Sequence, residues 1–286
     1  MLGAAGIADD ELLPAIRAAA GAKVLAIASR DPARARALAR KHGVPRVHET
    51  YEALLGDPDV DAVYLPLTND RHRPWTLRAL AAGKHVLCEK PLALTAAEGE
   101  EMAAAARAAG RLLMEAFMYR FHPRIRALVE SMAGRELRHV HAAFGFTLRD
   151  PANYRLRPEL GGGALYDVGC YCVDVTRWLL GEPDTVCALR HGDGVDMTSS
   201  ALLHFRSGAS ASLFASFESP EHQVLEIVAG DELVRIEKPF SWMEPENPYR
   251  LMVEEFAAAA TAGGPSPLPV EWSIGNLRVL DKLRAG

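Results

Sequence analysis

Lys23-Val24-Leu25-Ala26-Ile27-Ala28-Ser29-Arg30-Asp31-Pro32 decides the fold class. A run of mostly apolar residues ends abruptly in a polar turn. Asp31-Pro32 then opens a helical pattern as N-cap and first-turn proline, and Gly43 closes it. A strand delivered into a helix by so short a turn is half of a βαβ unit. The alternation repeats outward: residues 60–67 (VDAVYLPL), 85–88 (HVLC) and 112–116 (LLMEA) are strand-like, with helical patterns between them. Thr95 and Glu98 form a capping box before a helix that ends near Gly110. Strands alternating with helices imply an α/β fold with a parallel sheet, and residues 1–119 are expected to form a Rossmann-like dinucleotide-binding domain.

From about Arg120 the pattern changes. Residues 139–147 read as a strand and 163–180 as one strong helix. Alternating runs follow at 198–205, 209–217, 224–228 and 232–236, with Ser207-Gly208 and Gly230-Asp231 as hairpin turns. Residues 120–286 are therefore expected to form an α+β domain around a mostly antiparallel open sheet. Two helical patterns close the chain, one with Tyr249, Met252, Val253 and Phe256, the other with Ile274, Leu277 and Leu280.

A length of 286 residues suits two domains, and 49% hydrophobic with 24% charged residues describes an ordinary globular chain. A net charge of −5 without a basic stripe argues against a nucleic-acid footprint. Arg30, Arg34, Arg36, Arg40 and Lys41 read as a solvated helix face. No apolar run approaches the roughly 20 residues of a membrane span, and the opening lacks a leader pattern. Cys88, Cys170, Cys172 and Cys187 lack metal-ligand spacing, so no metal is expected. They read as small buried hydrophobes in a reducing compartment, with the cytoplasm as the expected location.

Gly3-Ala4-Ala5-Gly6-Ile7-Ala8 fits G-x-x-x-x-A, a loosened dinucleotide fingerprint in which a tight turn presents helix N–H groups to a pyrophosphate. Gly3, Ala5, Gly6, Ile7 and Ala8 are the candidate cofactor contacts, with Ala5 in place of the second glycine. Only Met1 and Leu2 precede this turn, so the first, central strand is expected to be missing. Whether this sequence is an incomplete copy or the domain does without that strand stays open here. Asp9, Asp10 and Glu11 complement the helix start but would oppose a pyrophosphate. At the end of the next strand, Ser29 and Arg30 suit a 2′-phosphate where a carboxylate would repel it, which favours NADP(H) over NAD(H). Asp31, followed by proline, reads as a helix cap.

Further along stand Pro66-Leu67-Thr68-Asn69-Asp70-Arg71-His72, Glu89-Lys90-Pro91, Glu115-Ala116-Phe117-Met118-Tyr119-Arg120-Phe121-His122-Pro123, and the run from Gly161-Gly162-Gly163 through Asp167 to Tyr171. With the glycine turn, and in this order, they make the chain resemble the Gfo/Idh/MocA oxidoreductases. The similarity is to the branch of glucose–fructose oxidoreductase, NADP-dependent xylose dehydrogenase and dihydrodiol dehydrogenase. The resemblance implies that Lys90 lies beside nicotinamide and substrate. It also implies that Asp167 and Tyr171 approach from the second domain, with Tyr171 donating or accepting the proton. Pro66, Asn69, His72 and Glu89 would border the cofactor. The substrate would be a sugar or cyclic polyol, and the open sheet would join copies into a homo-oligomer. Thr68, where the family usually has proline, and the short chain depart from the pattern.

The residues themselves support this chemistry up to a point. Asp167 and Tyr171 are four apart on one helix face, beside an apolar stripe of Val168, Cys172, Val175 and Leu179, so their face is expected to be left free for a cleft. Tyrosine, with a reference pKa of about 10, becomes a usable base near an ammonium such as that of Lys90. On periodicity alone Tyr171 could equally be a core aromatic. Asn69, His72 and His122 are as readily loop caps as site residues. Two other functions fit the same motifs: a catalytically silent dinucleotide-binding sensor, and a tight-cofactor enzyme that exchanges hydride between two aldoses.

Overall fold

Five short parallel strands, in two groups, form the frame of the first unit. β1 (Ala26–Ala28) pairs with β2 (Arg46–His48); β3 (Ala62–Leu65), β4 (His85–Cys88) and β5 (Leu113–Glu115) pair in that order. The computed structural model describes residues 1–285. By packing, the first unit comprises Met1–Ala93, Ala97–Phe121 and Glu244–Ser273.

Met1 and Leu2 occupy the position between the two groups of strands. Leu2 bridges Ala28 in parallel, and its N–H donates to the Tyr64 carbonyl at 3.0 Å. The Met1 amino group donates to the Ala26 carbonyl at 2.7 Å, and the Ala28 N–H donates to the Met1 carbonyl at 3.1 Å. Two residues thus stand where the sequence predicted a missing strand. Beyond them lies a cavity of about 500 Å³ lined by Leu12, Val24, Val63, Leu87, Val253 and Phe256, among others. This accounts for the shortening of the strand expected from Lys23: regular pairing is confined to Ala26–Ala28, alongside the stub.

The helices follow their sequence signals. Asp31 caps the Pro32–His42 helix, its Oδ1 accepting from the N–H groups of Ala33 (2.9 Å) and Arg34 (3.1 Å), and Gly43 ends it. The Pro248–Ala262 helix lies C-terminal to the expected 119/120 boundary, yet it packs in the first unit. Its buried stripe of Met252, Val253 and Phe256 covers apolar surface there, and Glu254 accepts from the Ala20 N–H at 3.0 Å. No local pattern marks which unit such a stripe will cover.

The second unit comprises Leu94–Ala96, His122–Met243 and the chain from Ile274. Its strands are β6 (Leu137–Thr147), β7 (Thr185–His191), β8 (Thr198–His204), β9 (Ser210–Ser216), β10 (Glu218–Ala229) and β11 (Glu232–Glu237). They form one sheet in the order β11-β10-β6-β9-β8-β7, antiparallel except for β6 with β9. β7 was not expected; as an edge strand with mostly exposed residues it lacks the apolar alternation that marks the others. It also carries Cys187, which is exposed, whereas Cys88, Cys170 and Cys172 are buried as expected.

The helix predicted over 163–180 begins with a π turn, Leu165–Gly169, and continues as Cys170–Leu180. It lies on one face of the sheet, where Ala164 and Val168 meet Ala215 and Phe217 in a small core. The nearly fully buried Arg177 ties this helix to the last one: it donates to Asn276 Oδ1 and pairs with Glu182, while Asn276 donates to Asp174 at 2.8 Å. Among the described residues no helix is long and apolar enough to cross a membrane.

Candidate active site

In the first unit the glycine turn meets the end of β3. Gly3 has φ +113°, and a Cβ there would lie 3.0 Å from Leu67 Cδ2 and 3.2 Å from the Pro66 carbonyl oxygen. Only glycine accepts both the conformation and that approach. The helix then starts at Gly6-Ile7, and the Ala8 and Asp9 N–H groups return to the Ala5 carbonyl. Asp9 points to the neighbouring helix, 2.7 Å from His42 Nε2 and 2.6 Å from Lys41 Nζ. The bonds from His42 and Lys41 hold its carboxyl below the usual carboxylate range. Its charge is thereby compensated away from the turn. Asp10 stays closer, its Oδ2 3.7 Å from where a Gly6 Cβ would stand.

At the end of β1, Ser29 is nearly buried and its hydroxyl accepts the Asp31 N–H at 3.2 Å, while Arg30 is exposed. The Asp31 carboxylate is committed to its cap. The strand end therefore presents a cation and a hydroxyl, a donor set that fits a phosphate.

The ends of β3 and β4 are cross-linked. The Tyr64 hydroxyl donates to Glu89 Oε1 at 2.6 Å, and Glu89 Oε2 accepts the Lys90 N–H at 3.3 Å. Lys90, half-buried, precedes Pro91 through a cis peptide bond. His72 is fully buried, with Nδ1 2.8 Å from the Pro91 carbonyl and Nε2 3.1 Å from that of Leu67. Burial lowers its pKa, against the pull of the two carbonyls. His72 is thus lodged between two loops at the strand ends. Asn69 is also buried, at the start of the next helix, and Pro66 touches the glycine turn. A role missed from sequence belongs to Glu115: its Oε1 accepts the Leu92 N–H at 2.7 Å and anchors the chain as it leaves Lys90. A carboxylate closing a buried strand was the available signal.

In the second unit the start of the 165–180 helix is held from two sides. Asp196, from the β7–β8 loop, accepts the Ala164 N–H on its carbonyl (2.8 Å) and the Leu165 N–H on its carboxylate (2.6 Å). Arg155, in the short 3₁₀ turn Tyr154–Leu156, donates through Nε to Asp167 Oδ2 at 2.7 Å. Neither partner was singled out by the sequence, because both arrive from loops without periodicity. His122 caps the Pro123–Met132 helix, accepting the Arg124 N–H at 3.1 Å.

Tyr171 is only 8% exposed. Its ring lies 5.5 Å from those of Phe144 and Phe240, which stack on each other with 10° between planes. The expectation of an open Asp167/Tyr171 face is therefore corrected: Asp167 is nearly buried as well, and rings from β6 and from the segment after β11 cover Tyr171. A phenol with an aromatic surround and a compensated carboxylate one turn away is suited to proton exchange shielded from bulk water.

Comparison with known proteins identifies the family. A family model described as an oxidoreductase family with an NAD-binding Rossmann fold matches residues 1–117, and the GFO/IDH/MocA C-terminal domain matches residues 122–233. A D-xylose 1-dehydrogenase (NADP(+)) of Haloferax volcanii is 38% identical over 99% of this chain and 95% of its own length. The crystal structure of KijD10, a 3-ketoreductase from Actinomadura kijaniata in complex with NADP and TDP-benzene, is 31% identical with a TM-score of 0.88. That match covers 100% of this chain and 96% of the other. GenD2 from gentamicin A biosynthesis, in complex with NAD, shares the fold at a TM-score of 0.90 and 24% identity over 99% and 92% of the two chains. With both its halves matched, the chain belongs to the GFO/IDH/MocA family of oxidoreductases.

Proposed function

We propose that this chain is an NADP-dependent oxidoreductase acting at a hydroxyl-bearing carbon of a sugar or cyclic polyol. The observation that carries the cofactor choice is the end of β1, where Arg30 is exposed and the Asp31 carboxylate is committed to capping a helix. The bound dinucleotide supplies the hydride acceptor or donor. Gly3 and the helix start at Gly6 hold the pyrophosphate, Ser29 and Arg30 the 2′-phosphate. Tyr171 gives or takes the hydroxyl proton, and Lys90 lowers the pKa at which it does so. The buried thiols suit a reducing compartment, in keeping with cytoplasmic work.

Fluorescence titration is expected to show tighter binding of NADPH than of NADH. Arg30→Ala is expected to reduce that preference roughly 10- to 100-fold, the worth of a lost hydrogen bond to a charged group. Equal affinities in the unmodified protein would overturn the assignment.

The same proposal includes a second copy as partner. Leu189, Leu202 and Leu233 are the large hydrophobic residues most exposed among those described, and cross-strand register places all three on one face of the β6–β11 sheet. Exposed leucines set among small polar residues on one sheet face suit self-association. Leu189→Glu with Leu202→Glu is expected to convert oligomers to monomers in sedimentation velocity; an unchanged sedimentation coefficient would count against this face.

A further inference from the structure

Arg155 stands outside every motif that the proposed chemistry uses, yet the glycine triplet is built around it. The Gly163 N–H donates to the Arg155 carbonyl at 2.9 Å and the Gly162 N–H to the Arg157 carbonyl at 3.0 Å. A Cβ on Gly162 would lie 2.3 Å from the Arg155 carbonyl oxygen, a backbone atom that cannot swing aside. The triplet therefore lets the 3₁₀ turn dock directly against the start of the Tyr171 helix. The guanidinium then bonds Asp167, with the side chains 30% and 9% exposed.

Consider the charges around this turn. Tyr154 and Arg155 come from the 3₁₀ turn, the Arg155 guanidinium lying 4.9 Å from the Tyr154 ring; Asp196 comes from the β7–β8 loop; β6 and the segment after β11 contribute the uncharged rings of Phe144 and Phe240. A nearly buried Asp167 carboxylate one turn from Tyr171 would by itself disfavour a phenolate. Paired with Arg155, it contributes almost no net charge. Burial alone would pull the Arg155 pKa down, but Asp167, Tyr154 and Tyr171 together outweigh it and keep the guanidinium charged, so Tyr171 lies within range of the same field.

We propose that Arg155 is a positioning residue: it holds Asp167 in an ion pair whose charges cancel, so that Tyr171 alone exchanges the proton. This rests on the acid–base reading of Tyr171, and it gives Asp167 the part of electrostatic support. It predicts a charge dependence that a packing role does not. Removing the cation leaves the anion uncompensated, and removing both restores balance.

The test follows the Tyr171 phenol in the cofactor-free protein. Tyrosine labelled with ¹³C at Cζ gives one NMR signal per phenol, and Tyr171→Phe identifies the relevant one. Arg155→Gln is expected to raise its ionisation midpoint by on the order of one pH unit. Arg155→Gln with Asp167→Asn should return it toward the original value, and Arg155→Lys should hold it there. Gly162→Ala, which dislodges the turn while keeping the guanidinium, should behave like Arg155→Gln. An unmoved midpoint in folded Arg155→Gln, or no recovery in the double variant, overturns the proposal. If Arg155→Gln fails to fold, the comparison of Arg155→Lys and Gly162→Ala decides: equal midpoints in those two overturn it. These signals do not depend on turnover, so normal activity in Tyr171→Phe would refute the acid–base reading separately.

Discussion

Tyr171→Phe is expected to lower turnover roughly 10²–10⁴-fold, the usual cost of losing general acid–base catalysis. If, as proposed, the lost hydroxyl serves the reacting alcohol, NADPH affinity should barely change. Lys90→Met should also cut turnover, and with residual activity the basic limb of its pH profile should move upward. The double variant should be little worse than the poorer single one, since groups acting as a unit are not additive. Burial of Tyr171 between Phe144 and Phe240 makes the control essential. A purely packing phenol would give Phe near-normal turnover at saturating substrate, with any deficit seen in thermal stability. That result would take the acid–base role away from Tyr171.

The second large effect concerns the amino terminus. The Met1 amine is fully buried, and burial lowers its pKa from 8.0 to about 5. Unfolded, it would keep its proton up to about pH 8; folded, it surrenders it down to about pH 5. The unfolded state thus binds more protons in this window, so stability falls as pH drops from 8 to 5 and levels off below. The penalty is roughly 1 kcal/mol at pH 7 and about 4 kcal/mol below pH 5. Extending the chain ahead of Met1 by Arg-Trp-Gly-Val replaces the amine by a peptide group. It also runs an apolar strand into the cavity beside Val24 and Val63. Each large side chain buried there adds about 1.5–3 kcal/mol. Differential scanning calorimetry should show Tm higher by roughly 5–15 °C. The Tm difference between the two forms should widen on acidification from pH 8 to 5. Identical melting curves at both pH values would mean that the cavity admits no strand.

Much of this was legible because it is local. Asp31-Pro32, Gly43 and the hairpin glycines act on their immediate neighbours, so the elements they bound appeared where expected. The glycine turn and Lys90 were recognisable as motifs, and Ser29-Arg30 by its chemistry. What escaped was assembled across distance. Arg155 and Asp196 reach one helix start from separate loops, and His72 serves two carbonyls 5 and 19 residues away. The same limit applied to Tyr171: helical spacing gave its face but could not foresee the rings of Phe144 and Phe240. The 244–273 segment packs by surface complementarity with residues far upstream, which no cap or periodicity announces.

That segment has a consequence for how the protein is made. The first unit keeps apolar surface uncovered until Met252, Val253 and Phe256 emerge, well after the rest of its sequence. At 5–20 residues per second, on the order of ten seconds separate the emergence of Phe121 from that of Met252. During that interval the nascent first unit lacks the side chains that cover part of its apolar surface. Ribosomes stalled within 150–240 should carry protease-sensitive chains, and those tethering the finished sequence through a long linker should carry resistant ones.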